Sequence, residues 1–197
     1  MTSRSSELEL YDWSKDGDAI QNGQGVEFNR QNGQGVELSR QMAGKIVRRE
    51  TYKIERNLVL DGVEEFCSSV MTNCELITYG IAITPPHRDG FQEARTNVIV
   101  SIFDEQSNLL SRSMDVVKVI SDYEVPHLVN LANGIKFNAS TTYKISVKYV
   151  CDSDLNKLEL LCFYLSPTIN THANSLTVQF EDQLYGGVVR GISFYVL

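Results

Sequence analysis

The sequence predicts an all-β protein: an antiparallel, jelly-roll-like β-sandwich of about ten strands, preceded by a short helical hairpin. Three observations lead there. From Thr51 onward, runs rich in Val, Ile, Tyr and Phe recur without helical patterns between them. In one of these runs, Tyr143, Ile145, Val147 and Tyr149 alternate strictly with Lys144, Ser146 and Lys148, as a strand with one buried and one wet face requires. The breaks between runs carry turn chemistry, including Asp104–Asn108, Asn133-Gly134, Asp152–Asp154 and Tyr185–Gly187.

The front of the chain differs from the rest. Residues 1–50 hold seven Lys/Arg and eight Asp/Glu and no proline, whereas residues 51–197 hold eleven basic and seventeen acidic side chains and all four prolines. The natural boundary is therefore near residue 50. In the first part, Ser6 and Glu9 have capping-box spacing, and Leu10 with Trp13 shares a helical face. A second helix is expected from Glu37 to Arg49, where Leu38, Met42 and Ile46 are four residues apart. Between them lies a duplication, QNGQGVEFNR over 21–30 and QNGQGVELSR over 31–40. Two polar copies cannot stack as a solenoid, and their Asn-Gly and Gln-Gly pairs favour turns, so 21–40 reads as an enlarged loop.

In the second part the expected strands follow in order: Cys74–Ile83, Asn97–Phe103, Met114–Ile120, Thr142–Val150, Leu158–Leu165, Ser175–Phe180 and Val188–Val196. Each is short, apolar and β-branched or aromatic. Strands without intervening helices indicate antiparallel pairing rather than βαβ units.

Composition narrows the function. With 42% hydrophobic and 22% charged residues, the chain is neither disordered nor a disulfide mini-protein. The longest apolar run, Leu160–Leu165, is far too short to span a membrane, and the first residues have no apolar signal core. A net charge of −7 argues against nucleic acid and anionic membrane as partners. A cytoplasmic protein is the expectation.

Catalytic signatures are missing from the sequence. It has no Gly-x-Ser-x-Gly elbow, no phosphate-binding Gly-x-x-x-x-Gly-Lys run and no His-Glu-x-x-His. The four cysteines, Cys67, Cys74, Cys151 and Cys162, lack zinc spacing and read as buried reduced thiols. No metal or cofactor is expected. Neighbouring acids such as Glu64 and Glu65 point to opposite faces of a strand and are not a ready-made site. The most promising feature is a loop with two stiff prolines, Pro85 and Pro86, a basic pair, His87 and Arg88, and an aromatic, Phe91. A second candidate is the turn carrying Asp152 and Asp154. Loops on a rigid sandwich are where binding residues usually sit.

Spaced motifs over residues 51–197 resemble the PHR domain of the Pam and Highwire type, which also closes BTB–BACK–PHR proteins. Glu64–Val70 and Cys74–Ala82 occupy the place of its opening motifs, with Tyr79-Gly80-Ile81 keeping the centre of the second. The departures are Ser68 for a Phe, Thr78 for a Gly and Ala82 for a Tyr. Thr96–Phe103 and Tyr143–Val147 are similar to internal strands of the family. Gly187-Val-Val-Arg-Gly-Ile-Ser-Phe-Tyr195 resembles its closing Gly-Gln-Ile-Pro-Glu-Ile-x-Phe-Tyr. Trp13 and Leu38–Arg49 resemble the last helices of a BACK domain, although Ile46–Arg49 departs from the usual Ile-Arg-Phe-Pro. The resemblance implies a β-sandwich that binds a protein partner through surface loops, without catalysis, as the substrate-recognition part of a ubiquitin-ligase adaptor. Residues 1–50 are too few for the BTB domain that makes the cullin contact in such adaptors. The competing expectation is a jelly roll that binds a glycan or small ligand.

Overall fold

The structure, a computed structural model, describes residues 45–87, 95–118, 125–151, 158–171, 175–183 and 187–197, and every regular element among them is a strand. In chain order these are β1 (Lys45–Arg48), β2 (Thr51–Leu60), β3 (Val63–Thr72), β4 (Leu76–Ile83), β5 (Arg95–Phe103) and β6 (Leu109–Lys118). They continue with β7 (His127–Phe137), β8 (Thr142–Val150), β9 (Leu158–Leu165), β10 (Thr168–Thr171), β11 (Leu176–Asp182) and β12 (Val189–Val196). All the pairings are antiparallel. A six-stranded sheet runs β10-β11-β3-β8-β5-β6, a four-stranded sheet runs β1-β12-β4-β7, and β2 with β9 forms a ribbon. Among the described residues no helix is long and apolar enough to cross a membrane.

The arrangement is sandwich-like because alternation leaves each large sheet one apolar face to bury. Tyr143, Ile145, Val147 and Tyr149 of β8 are buried, as are Val98, Val100 and Ile102 of β5. They share one core with Ile81 and Ile83 of β4, Val129 of β7, and Ile192 and Phe194 of β12. Phe137 of β7 stacks on Tyr143 of β8, with ring centroids 4.3 Å apart, and so ties one sheet to the other. Strand β9 is covered on both faces. Leu158, Leu160 and Cys162 join the main core, while Leu161, Phe163 and Leu165 form a smaller cluster. Double coverage accounts for the unbroken apolar run that the sequence carries there.

Two expectations need correction. Over its last residues, the helix expected for 37–49 is instead strand β1, whose residues Lys45–Arg48 pair with Gly191–Phe194 of β12. Val47 is buried by this pairing. A partner edge overrides the weak helical period, and the compact unit consequently begins at Gly44, before the composition boundary. Gly191 permits the approach, since a Cβ there would collide with the Val47 carbonyl. The first expected helix, the duplicated loop and the rest of the second helix lie outside the described residues. The second correction concerns Asn133-Gly134, which is no turn but part of β7. The register against β4 jumps between Thr78↔Ile135 and Gly80↔Asn130, so the extra residues form a bulge. At Gly134 a Cβ would lie 2.6 Å from Ile77 Cγ2, so the strand can lie this close only without a side chain.

One buried charge joins distant segments. The Arg49 side chain is 1% exposed. Its Nη1 and Nη2 donate to Asp182 Oδ1 (2.9 Å) and Oδ2 (2.7 Å), and Nη1 also donates to the Val189 carbonyl (3.1 Å). Nε donates to the Ser166 carbonyl at 2.7 Å, and the guanidinium lies over the Phe180 ring. Ser68 Oγ donates to Asp182 Oδ1 at 2.7 Å. Gly187 leaves room for the carboxylate, because a Cβ there would sit 2.7 Å from Asp182 Oδ2. Removing one partner strands the other charge, so Arg49→Ala and Asp182→Ala should each lower the unfolding free energy by about 3 kcal/mol. The Arg49→Ala/Asp182→Ala double variant should lose less than the two single losses added together. Urea titrations of the three variants measure this, and strictly additive losses would show that the pair is not coupled.

Candidate binding site at one end of the sandwich

Register sets which strand ends lie together. Ile83 is opposite both His127 and Val189, Arg95 is opposite Lys118, and Val150 is opposite Val63 and Asn97. Contacts between sheets show that these ends share one pole of the sandwich. Tyr149 Oη, near the end of β8, donates to the carbonyl of Thr84, just after β4, at 2.7 Å. Asp115 Oδ2, near the end of β6, is 2.9 Å from His127 Nε2 at the start of β7. The connectors 84–94, 119–126 and 151–157 all leave from this pole. The opposite pole is closed by the shorter turns 73–75, 104–108 and 138–141.

The first connector is firmly rooted. Thr84 donates its N–H to the Val188 carbonyl at 2.9 Å and accepts from Tyr149, so it is held from both sheets. Pro85 and Pro86 are buried rather than displayed on an exposed loop. Proline suits that position because it brings no N–H that would need a partner. At His87 the backbone forms a bridge to β9. Its N–H donates to the Glu159 carbonyl (2.7 Å), and its carbonyl accepts from the Glu159 N–H (2.9 Å). The half-buried imidazole has Nε2 3.5 Å from Glu159 Oε2, and Asn57 Nδ2 donates to the same oxygen at 2.6 Å. Pro85, Pro86 and His87 are thus the pedestal of the loop. Arg88 and Phe91 lie outside the described residues.

The third connector springs from a similar root. The Cys151 N–H donates to the Gly62 carbonyl at 2.9 Å, where the positive φ of Gly62 turns β2 into β3. Cys151 Sγ is 3.3 Å from Thr96 Oγ1. Asp152 and Asp154 follow immediately and lie outside the described residues. The two candidate loops therefore leave the same pole, a juxtaposition that the sequence alone does not reveal. Nothing local in the sequence marks Glu159, Asn57 or the Asp115–His127 pair, because each matters only through a partner on another strand.

Of the cysteines, only Cys162 is fully buried; Cys67, Cys74 and Cys151 are half-buried, and all four are free thiols. Among the described residues no cluster of three His, Cys, Asp or Glu side chains has the geometry to hold a metal ion. No family model matches the chain, and no curated protein matches it.

Tyr149 carries a pH signature of this root. Burial strips water from the phenolate and pushes the Tyr149 pKa well above its ordinary value of 10.0, with the nearby Cys162 adding to the shift. The folded state therefore favours the neutral phenol. Its contribution is complete below the unfolded-state value near 10 and is lost as pH rises above it. Wild-type unfolding free energy should fall through that alkaline range more steeply than that of Tyr149→Phe, which should itself cost about 1 kcal/mol at neutral pH. Denaturant unfolding at pH 7 and across the alkaline range tests both. Parallel pH curves for the two proteins would contradict the assignment.

Proposed function

We propose that this chain is a non-enzymatic protein-binding module of the PHR type, a jelly-roll-like sandwich that recognises its partner through the connectors at one pole. In this reading it works inside the cell as the substrate-recognition part of a ubiquitin-ligase adaptor. The observation that carries the binding reading is the convergence of connectors 84–94, 119–126 and 151–157 on one pole, each springing from paired strand ends. A rigid pedestal beneath long connectors is how sandwich domains present variable recognition residues. The PHR assignment itself rests on the motif positions Glu64–Val70, Cys74–Ala82 and Gly187–Tyr195. Two of these motifs fall on strands that the core needs, β3 and β4, and the third on β12.

The test uses tagged wild-type chain and three variants in quantitative pull-downs from cell extract. Arg88→Ala/Phe91→Ala and Asp152→Ala/Asp154→Ala alter the loop pole, and Gln106→Ala alters the opposite one. Both loop variants should lose partners that wild type and Gln106→Ala retain. Recovery of the same partners by all four proteins would remove the loop pole as the binding site. Strong, sugar-competable binding on a glycan array would replace the protein-binding reading with the glycan-binding one.

A further inference from the structure

The outer face of the six-stranded sheet is at odds with the charge of the chain. Its edge strand β6 directs Leu110, Arg112, Met114, Val116 and Lys118 outward, and all five are exposed. Met114 is 72% exposed and Val116 50%. Register extends this row across the sheet. Lys118 is opposite Arg95, Met114 is opposite Ile99, and Ile99 is opposite Lys148. Lys144, two residues before Ser146 on β8, also faces outward and is exposed. The face therefore holds five cations, and its acids are Glu65 and Glu181. Glu65 is already engaged: it accepts from Ser146 Oγ at 2.6 Å and lies 3.0 Å from Lys148 Nζ. Among the described residues no ion pair involves Arg95, Arg112, Lys118 or Lys144. A chain of net charge −7 thus concentrates surplus positive charge around exposed apolar side chains.

We infer that this face binds an acidic protein segment whose apolar side chains settle on Met114 and Val116 while its carboxylates meet Arg112, Lys118 and Arg95. The inference rests on the protein-binding reading above and adds the chemistry of the partner. A short acidic peptide feels mainly the local field, because screening confines charge effects to about 8–10 Å at physiological salt. A polyanion such as nucleic acid or a phosphatidylserine membrane also meets the net negative charge of the rest of the molecule. The side-chain face, not the backbone edge, is what β6 offers. Asp115 Oδ1 accepts the Val116 N–H at 2.8 Å while Oδ2 holds His127, so the middle of the edge is capped against an added strand. Arg95 sits where connector 84–94 ends and Lys118 where connector 119–126 begins, so one partner can reach both the face and the loop pole.

The experiment measures fluorescence anisotropy of labelled peptides with the full chain. One peptide, about twelve residues long, alternates Glu with Leu and Phe; its counterpart carries Lys in place of Glu. The acidic peptide should bind at least about tenfold tighter than the basic one, and its affinity should fall as salt rises. Arg112→Glu/Lys118→Glu and Met114→Ser/Val116→Ser should each weaken it about tenfold, with unchanged thermal unfolding. These positions are exposed, so the variants should fold. Equal affinity for both peptides, or unaffected binding by both variants, overturns the inference, as does tighter binding of duplex DNA or phosphatidylserine vesicles. In the cell-extract experiment, a sheet-face variant that keeps every partner sinks this surface and leaves the protein-binding reading standing. Loss of partners by the loop variants alone gives the same separation.

Discussion

The guanidinium of Arg49 is the constraint around which the described fold is arranged. A buried charge of this kind is tolerable only when it is paired and well hydrogen-bonded, because desolvation costs several kcal/mol otherwise. Four hydrogen bonds from the guanidinium answer that need. Forming them requires Asp182 from the end of β11, the Ser166 carbonyl after β9 and the Val189 carbonyl at the head of β12 to converge on one point. Asp182 in turn needs Ser68 of β3 and the missing side chain of Gly187. The six-stranded sheet, the four-stranded sheet and the β2–β9 ribbon each contribute an atom. The network therefore sets where the ribbon and the sheets meet, whereas apolar packing alone would tolerate some sliding between them.

The loop pole inherits that order. Backbone bonds from Arg49 to Arg190 and from Ser166 to Glu50 hold the corner between β1 and β2 against β12 and β9. Strand β9 then carries the constraint along its length to Glu159, which pairs with the backbone of His87. From the other side, Tyr149 reaches through the core to Thr84. The start of the first connector is thus fixed by a ribbon, a sheet and a core hydroxyl at once. A recognition loop gains affinity from such a base because fewer conformations are lost on binding.

What the sequence made legible follows from how each strand is buried. Strands β5, β8 and β12 have clean alternation or dense β-branched content, and their positions were read within a few residues. Strand β9 was legible as an apolar run because both its faces are covered. Strand β2 was not, since Tyr52, Ile54 and Val59 are exposed and its pattern looks like a polar linker. In β7, Asn133-Gly134 imitates a hairpin turn, and only the close approach of Ile77 explains a glycine there. Nothing local distinguishes Arg49 from Arg48, yet Arg49 is buried, because its partners lie more than a hundred residues away. The candidate site was half legible. Its loops were visible as punctuation, but their common origin depends on register and the burial of Pro85 and Pro86 on tertiary packing.

Net charge proves a poor guide to surface chemistry in this molecule. The value of −7 is an average over the whole chain, and sheets sort charges by parity. Every second residue of β6 and β8 goes outward, and in both strands the outward set is the one that holds Arg and Lys. The acid of β6, Asp115, has the inward parity and is held by His127. A single residue of slip in either register would send these cations into the core, where they would have no partners. Burial of Val117, Ile145 and Val147 therefore fixes the basic character of the outer face as firmly as it fixes the core.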